Sequence, residues 1–157
     1  MITPLIATLA LTFALGGDAK SALTESLMDE YRAHATYTAV IGKFGAFRPF
    51  SNIVRAEEMH ISLVQAEMRV HGLAVPPNPF ARKEDESSEE HAKRLGVPAT
   101  RLDAAKDALK LERDQGPLYD KLTTPDLPES VRSLFARLKR DSIERHLVAF
   151  ERYVGRG

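Results

Sequence analysis

Glu57 and His60 lie three residues apart in Ala56-Glu57-Glu58-Met59-His60, within a stretch, Phe50 to Gly72, that reads as one amphipathic helix. That spacing sets a carboxylate and an imidazole side by side on one helical face. The same face carries Ile53, Ala56, Leu63 and Val64, so it is the face expected to turn inward. A carboxylate and an imidazole are costly to bury unless something pairs with them. A metal ion resolves that cost, and Glu-x-x-His pointing into a helical core is a unit from which two-metal carboxylate sites are built. An isolated copy also arises by chance in many helices. The weight therefore falls on what the rest of the chain carries.

The composition narrows the chemistry. The chain has 157 residues, enough for one domain with a proper core but not for two. Lys plus Arg is 22 and Asp plus Glu is 22, so the net charge of zero argues against a nucleic-acid surface or a polybasic membrane patch. There is no Cys, which excludes disulfides, thiolate zinc sites and cysteine nucleophiles. Any metal must be held by oxygen and imidazole nitrogen, a donor set that suits iron, manganese or zinc rather than Cu(I).

The elements that must position these groups are helices. Residues 1–17 are apolar and too short to span a bilayer. They are expected to be a signal peptide, which implies a periplasmic or secreted protein, or else an extension of the first helix in a cytoplasmic one. From about Ala19 to Ile41, Leu23, Leu27, Glu30, His34, Tyr37 and Ile41 recur at three- and four-residue steps. Glu30 is thus a second carboxylate on an inward stripe. His34 fits a ligand, a support for a ligand, or a rim residue, with the last two favoured. Gly42 to Gly45 ends this helix. A short link leads to the Glu57/His60 helix, so the two should pack as an antiparallel hairpin.

Leu73 to Pro98 is then a long crossover, with a short helix expected around Ser88 to Leu95 capped by Ser87 or Ser88, and with His91 read as solvent-exposed. Glu67 and His71, an i,i+4 pair before it, read as a solvated pair. The third long helix, about Arg101 to Leu122, starts at the capping pair Thr100 and Asp103. Glu112 interrupts its apolar stripe, and Pro117 predicts a kink just after it. The fourth runs from about Glu129 to Val154, with Pro128 at its start and His146 as the polar exception on its inward face. No strand is expected.

Every long helix thus carries a metal-capable residue on its inward stripe: Glu30, then Glu57 with His60, then Glu112, then His146. On Asp29 to Tyr37, Arg48 to Ile53, Ala56 to His60, Leu118 to Asp120 and Glu144 to Phe150, the chain resembles the ferritin-like superfamily, and more narrowly the uncharacterised bacterial ferritin-like domain proteins. The resemblance spans roughly Ala19 to Tyr153. It implies an all-α four-helix bundle over residues 18–157, made of two antiparallel hairpins joined by the long crossover. It also implies a non-haem di-iron or di-metal carboxylate centre, to which each hairpin gives one Glu and one Glu-x-x-His. Carried over, the metal set is Glu30, Glu57, His60, Glu112 and His146. The remaining Glu is expected at 143, where this chain has Ile143. Glu144 points about 100° away round an α-helix, and Asp141 or water is left to fill in.

The implied activity is oxidoreductase or ferroxidase-type chemistry, with two Fe per chain (Mn or Zn as alternatives) and O2 or peroxide as partner. Tyr37 or Tyr119 is placed near the metals, as an electron source, a hydrogen-bond donor or an ordinary core aromatic. The alternatives are a non-catalytic binder of iron, zinc or copper(II), and a structural or interaction bundle with a degenerate site. A homodimer is compatible with the pattern; an iron-storage shell is not expected.

Overall fold

The computed structural model describes residues 17–156, so the expectations for residues 1–16 lie outside the described residues. Among the described residues the chain is helical and has no strand. The order is α1 (Gly17–Phe44), α2 (Phe50–Val70), α3 (Ser88–Arg94), α4 (Arg101–Leu122), α5 (Glu129–Asp141), a π-helical turn (Ser142–His146) and α6 (Leu147–Val154). No helix among the described residues is long and apolar enough to cross a membrane.

Local chemistry sets the ends of these helices. Thr100 accepts a hydrogen bond from the Asp103 amide at the start of α4, and Ser87 with Glu90 forms a reciprocal capping box on α3. α1 is longer than its stripe implied. It runs through Gly42 and stops only at Gly45, whose φ of 77° no side chain adopts comfortably. Gly72, at φ 69°, closes α2 in the same way. α4 remains helical through Pro117.

α1 packs on α2, α3 and α4; α4 packs on α5, the π-turn and α6; α2 also meets α5. The apolar side chains form two layers. One holds Leu23, Leu27, Val64, Met68, Tyr119, Val131, Phe135 and Leu138. The other holds Tyr37, Phe50, Ile53, Ala104, Ala105, Ala108 and Phe150, with the Phe50 and Phe150 rings 4.9 Å apart. On each long helix the buried acids and histidines fall between residues of these two layers. Glu30, Glu57, His60 and Glu112 are fully buried, and His146 nearly so.

Three expectations are corrected here. His91 is buried, because α3 lies against α1 and turns His91 and Ala92 toward the interior. Its Nε2 donates to the Phe80 carbonyl at 3.0 Å and so ties the crossover down. The fourth long segment is not a single regular α-helix, since the π-turn divides it at Ser142–His146. The Glu67–His71 pair forms at 2.9 Å, but it is mostly buried and also reaches Ser130, so it is less solvated than expected.

Nothing surrounds a Cβ built on Gly72, so Gly72→Ala meets only the cost of a left-handed backbone. It is expected to lower stability by about 1 kcal/mol in urea unfolding while leaving the helical circular dichroism unchanged.

Candidate metal centre

The residues singled out in the sequence converge at one level of the molecule. Glu57 stands at its middle. Its Oε2 lies 3.3 Å from His60 Nδ1, and its Oε1 lies 2.9 Å from His146 Nδ1. Glu30 Oε2 is also 3.3 Å from His60 Nδ1, and Glu112 Oε2 is 3.4 Å from His146 Nδ1. The donors fall into two groups, Glu30/Glu57/His60 and Glu57/Glu112/His146, with the chosen atoms of each within 4.8 Å of one another. Glu57 belongs to both. The two imidazoles stack with ring centroids 5.4 Å apart.

Of these four approaches only the one between His60 Nδ1 and Glu30 Oε2 is a hydrogen bond. Both oxygens of Glu57, Glu112 Oε2, His60 Nε2 and His146 Nδ1 are buried without a hydrogen-bond partner. His146 Nδ1 and Glu57 Oε1 thus sit close together without being aligned as donor and acceptor. Buried polar atoms are seldom left in this condition, and each normally calls for an explanation. Several unpaired donors aimed into one space fit a metal ion. Three carboxylates and two imidazoles suit iron, manganese or zinc.

Of the other three carboxylate oxygens, Glu30 Oε2 is bonded to His60 and two are held by tyrosines in a crossed pattern. Tyr37 of α1 donates to Glu112 Oε1 of α4 at 2.6 Å. Tyr119 of α4 donates to Glu30 Oε1 of α1. With its proton committed there, the Tyr119 oxygen accepts from Ser26 Oγ at 3.2 Å. Both tyrosines anticipated near the site are therefore in contact with it. Glu30 and Tyr37, and equally Glu112 and Tyr119, are seven residues apart, two helical turns on one face. That repeated spacing was legible in the sequence, although the crossed pairing was not.

The π-turn accounts for Asp141. Residues five apart on an α-helix lie about 140° apart round the axis. The amide of Leu147 instead bonds the Ser142 carbonyl, the i→i+5 bond of a π-turn, and this brings Asp141 and His146 toward the same side. Asp141 is buried with Oδ2 3.7 Å from His60 Nε2, while Arg145 at 3.2 Å and Arg137 at 3.8 Å flank its carboxylate. Glu144 is exposed and takes no part. Ser142 is buried and donates to Gln115 Oε1, tying the π-turn to α4. His34 is only half-buried and outside both donor groups, so it is a rim residue.

Burial and mutual charge set the protonation of the metal-free cluster. Burial, followed by the charge of Glu57, pushes the Glu30 carboxyl up to about 7. Burial works against the His60 cation, but Glu30 and Glu57 outweigh it and raise the imidazole to about 10. The same contest, won by Glu112 and Glu57, raises His146 to about 9. Burial opposes ionisation of Glu57 too, yet His146 and His60 hold its carboxyl below the usual range. Burial pushes both tyrosines well above their ordinary value, so each keeps its donating proton.

The chain matches no family model, and no curated protein sequence is similar to it. Among solved structures it is similar to the crystal structure of a hypothetical protein from Methanococcus jannaschii DSM 2661. The TM-score is 0.75 at 18% identity, covering 99% of this chain and 86% of that one. The likeness is one of fold. Together, fold and site define an all-helical protein with buried carboxylate and imidazole groups able to hold a metal ion.

The metal-free protein should lose stability as pH rises. Glu30, His60 and His146 all bind protons more tightly when folded, so the unfolded chain holds fewer protons than the native state above the ordinary carboxyl value of 4.5. Their contribution is complete below their unfolded values and is lost as pH passes through about 7, 9 and 10. Urea unfolding in the presence of a chelator is expected to give a lower midpoint near pH ~9.5 than near pH ~6. A higher midpoint in alkali would show that the cluster is not protonated in this way.

Proposed function

We propose that this chain is a ferritin-like carboxylate protein that holds two divalent metal ions at mid-height, with iron as the first assignment and manganese or zinc as alternatives. In this reading residues 18–157 form two hairpins, α1 with α2 and α4 with the run from α5 to α6. The contacts of α1 with α2 and α4, and of α5 with the same two helices, support that arrangement. One observation carries the metal reading. Both oxygens of Glu57 are buried without a hydrogen-bond partner, and each faces a different imidazole. Glu30, Glu57 and His60 would hold one ion, and Glu57, Glu112 and His146 the other.

Bound iron would supply reversible one-electron chemistry toward O2 or peroxide, which makes the protein an oxidoreductase of ferroxidase type. The chain's own residues do the rest. Glu57 spans the two groups and fixes their separation. Tyr37 and Tyr119 each hold a proton on Oη and occupy one oxygen of Glu112 and Glu30, so that Glu112 Oε2, which has no partner, and Glu30 Oε2, which shares a hydrogen bond with His60, are the oxygens that would face metal. The two apolar layers exclude water from above and below. A metal site without turnover is the second reading. It is favoured by the exposure of Glu144, which leaves the cluster with three carboxylates.

Anaerobic Fe(II) titration separates these possibilities. The wild-type chain is expected to bind about two ions, Glu112→Ala about one, and Glu57→Ala none tightly, because Glu57 is common to both groups. Circular dichroism checks that each variant remains helical. Oxygen consumption by the loaded wild type would favour turnover, and its absence would favour a binding protein. A wild-type chain that takes up no metal would overturn both readings.

A further inference from the structure

In a chain without cysteine, the thioethers are the side chains that peroxide oxidises most readily. Among the described residues these are Met28, Met59 and Met68, and their surroundings differ. Met68 is 1% exposed and Met28 packs against the same apolar layer, whereas Met59 on α2 is 43% exposed. Met59 also lines a cavity of about 240 Å³ between α2 and the π-turn, which it shares with His60, His146, Asp141 and Arg145.

A single contact sets Met59 further apart. Its Sδ accepts from Arg137 Nη2 of α5 at 3.8 Å. Thioether sulfur is a weak acceptor, so this bond does little for the reduced side chain. Through Nε, Arg137 is also 3.8 Å from Asp141 Oδ2, and its side chain is 44% exposed. A guanidinium carries several N–H donors, more than these two contacts use. Oxidation turns a flexible apolar thioether into a polar sulfoxide. The sulfoxide oxygen is a far better acceptor than the sulfur, and a bond to it from a charged donor is of the stronger kind.

We propose that Met59 is a modification site for hydrogen peroxide and that Arg137 recognises the oxidised form. In the step an S–O bond forms at Sδ as the O–O bond of the peroxide breaks. The thioether gives up two electrons, the peroxide takes them, and both peroxide protons leave with the second oxygen as water. The new oxygen accepts from Arg137, which exchanges a weak acceptor for a strong one. Met59 thereby changes from an apolar part of the cavity wall to a polar one, and the arginine it shares with Asp141 is drawn toward α2. The step requires no metal, so the inference is independent of the two-metal reading.

The test treats the full chain with hydrogen peroxide in the presence of a chelator and follows each methionine by peptide mass spectrometry. In the folded chain Met59 is expected to oxidise about threefold faster than Met28 and about tenfold faster than Met68, with the differences lost in urea. Equal rates in the folded chain, or a Met59 that stays reduced while either of the others reacts, would overturn the modification site. The urea midpoint of oxidised and reduced protein is then compared within each variant. A polar sulfoxide in a half-covered wall is costly unless it is hydrogen-bonded. Oxidation is therefore expected to leave the wild-type midpoint unchanged or higher, to lower that of Arg137→Gln, and to lower that of Arg137→Lys by less. The same downward shift in the wild type and in Arg137→Gln would overturn the role of Arg137. Met59→Leu, treated alike, should show no shift; a shift there would place the effect on another residue and overturn the assignment.

Discussion

The structure is governed by the burial of three carboxylates and two imidazoles in one layer between two apolar ones. Each charge moved from water into such a layer carries a penalty of several kcal/mol unless it is compensated. Without metal, the compensation is mutual and incomplete. His60 and His146 are raised into their charged forms by the acids around them, Glu30 is pushed toward its neutral form, and Glu57 remains ionised between the two rings. Even so, both Glu57 oxygens have no hydrogen bond. The aromatic packing around Phe50 and Phe150 on one side, and Tyr119 with Phe135 on the other, holds the layer in place against that cost.

The two halves of the cluster are related but unequal. On α1 and α4 the relation is close, with a Glu and a Tyr two turns apart and each Tyr bonded to the Glu of the other helix. On α2 and the α5–α6 run it breaks. α2 offers Glu57 and His60 on regular helical spacing, whereas the opposite run offers His146 alone and brings Asp141 near by means of a π-turn. This asymmetry leaves a cavity lined by His60, His146, Asp141 and Arg145 on one side of the cluster.

Much of this was legible in the sequence because it depends on local periodicity. Thr100 and Ser87 announce helix starts, Gly72 announces an end, and the inward stripes carrying Glu30, Glu57, His60, Glu112 and His146 follow from a period of 3.6 residues. The π-turn was not legible. It depends on one amide choosing a carbonyl five residues back instead of four, and Ser142 to His146 carry no composition that demands this. Ile143 at an expected Glu position was therefore visible as a gap, while the approach of Asp141 to His60 was not fixed. His91 was misjudged because its charged neighbours suggest solvent. Its burial comes from the packing of α3 on α1, a tertiary effect that local patterning cannot show. The likeness in fold to a hypothetical archaeal protein at 18% identity shows that this helical arrangement tolerates extensive change in sequence.

The most direct measurement is anomalous X-ray scattering at the iron edge from crystals of the Fe(II)-loaded protein. A centre organised by Glu57 predicts two peaks on either side of its carboxylate, one beside Glu30 and His60 and the other beside Glu112 and His146. A map with no peak among these five residues, or with peaks only at surface acids, would contradict it.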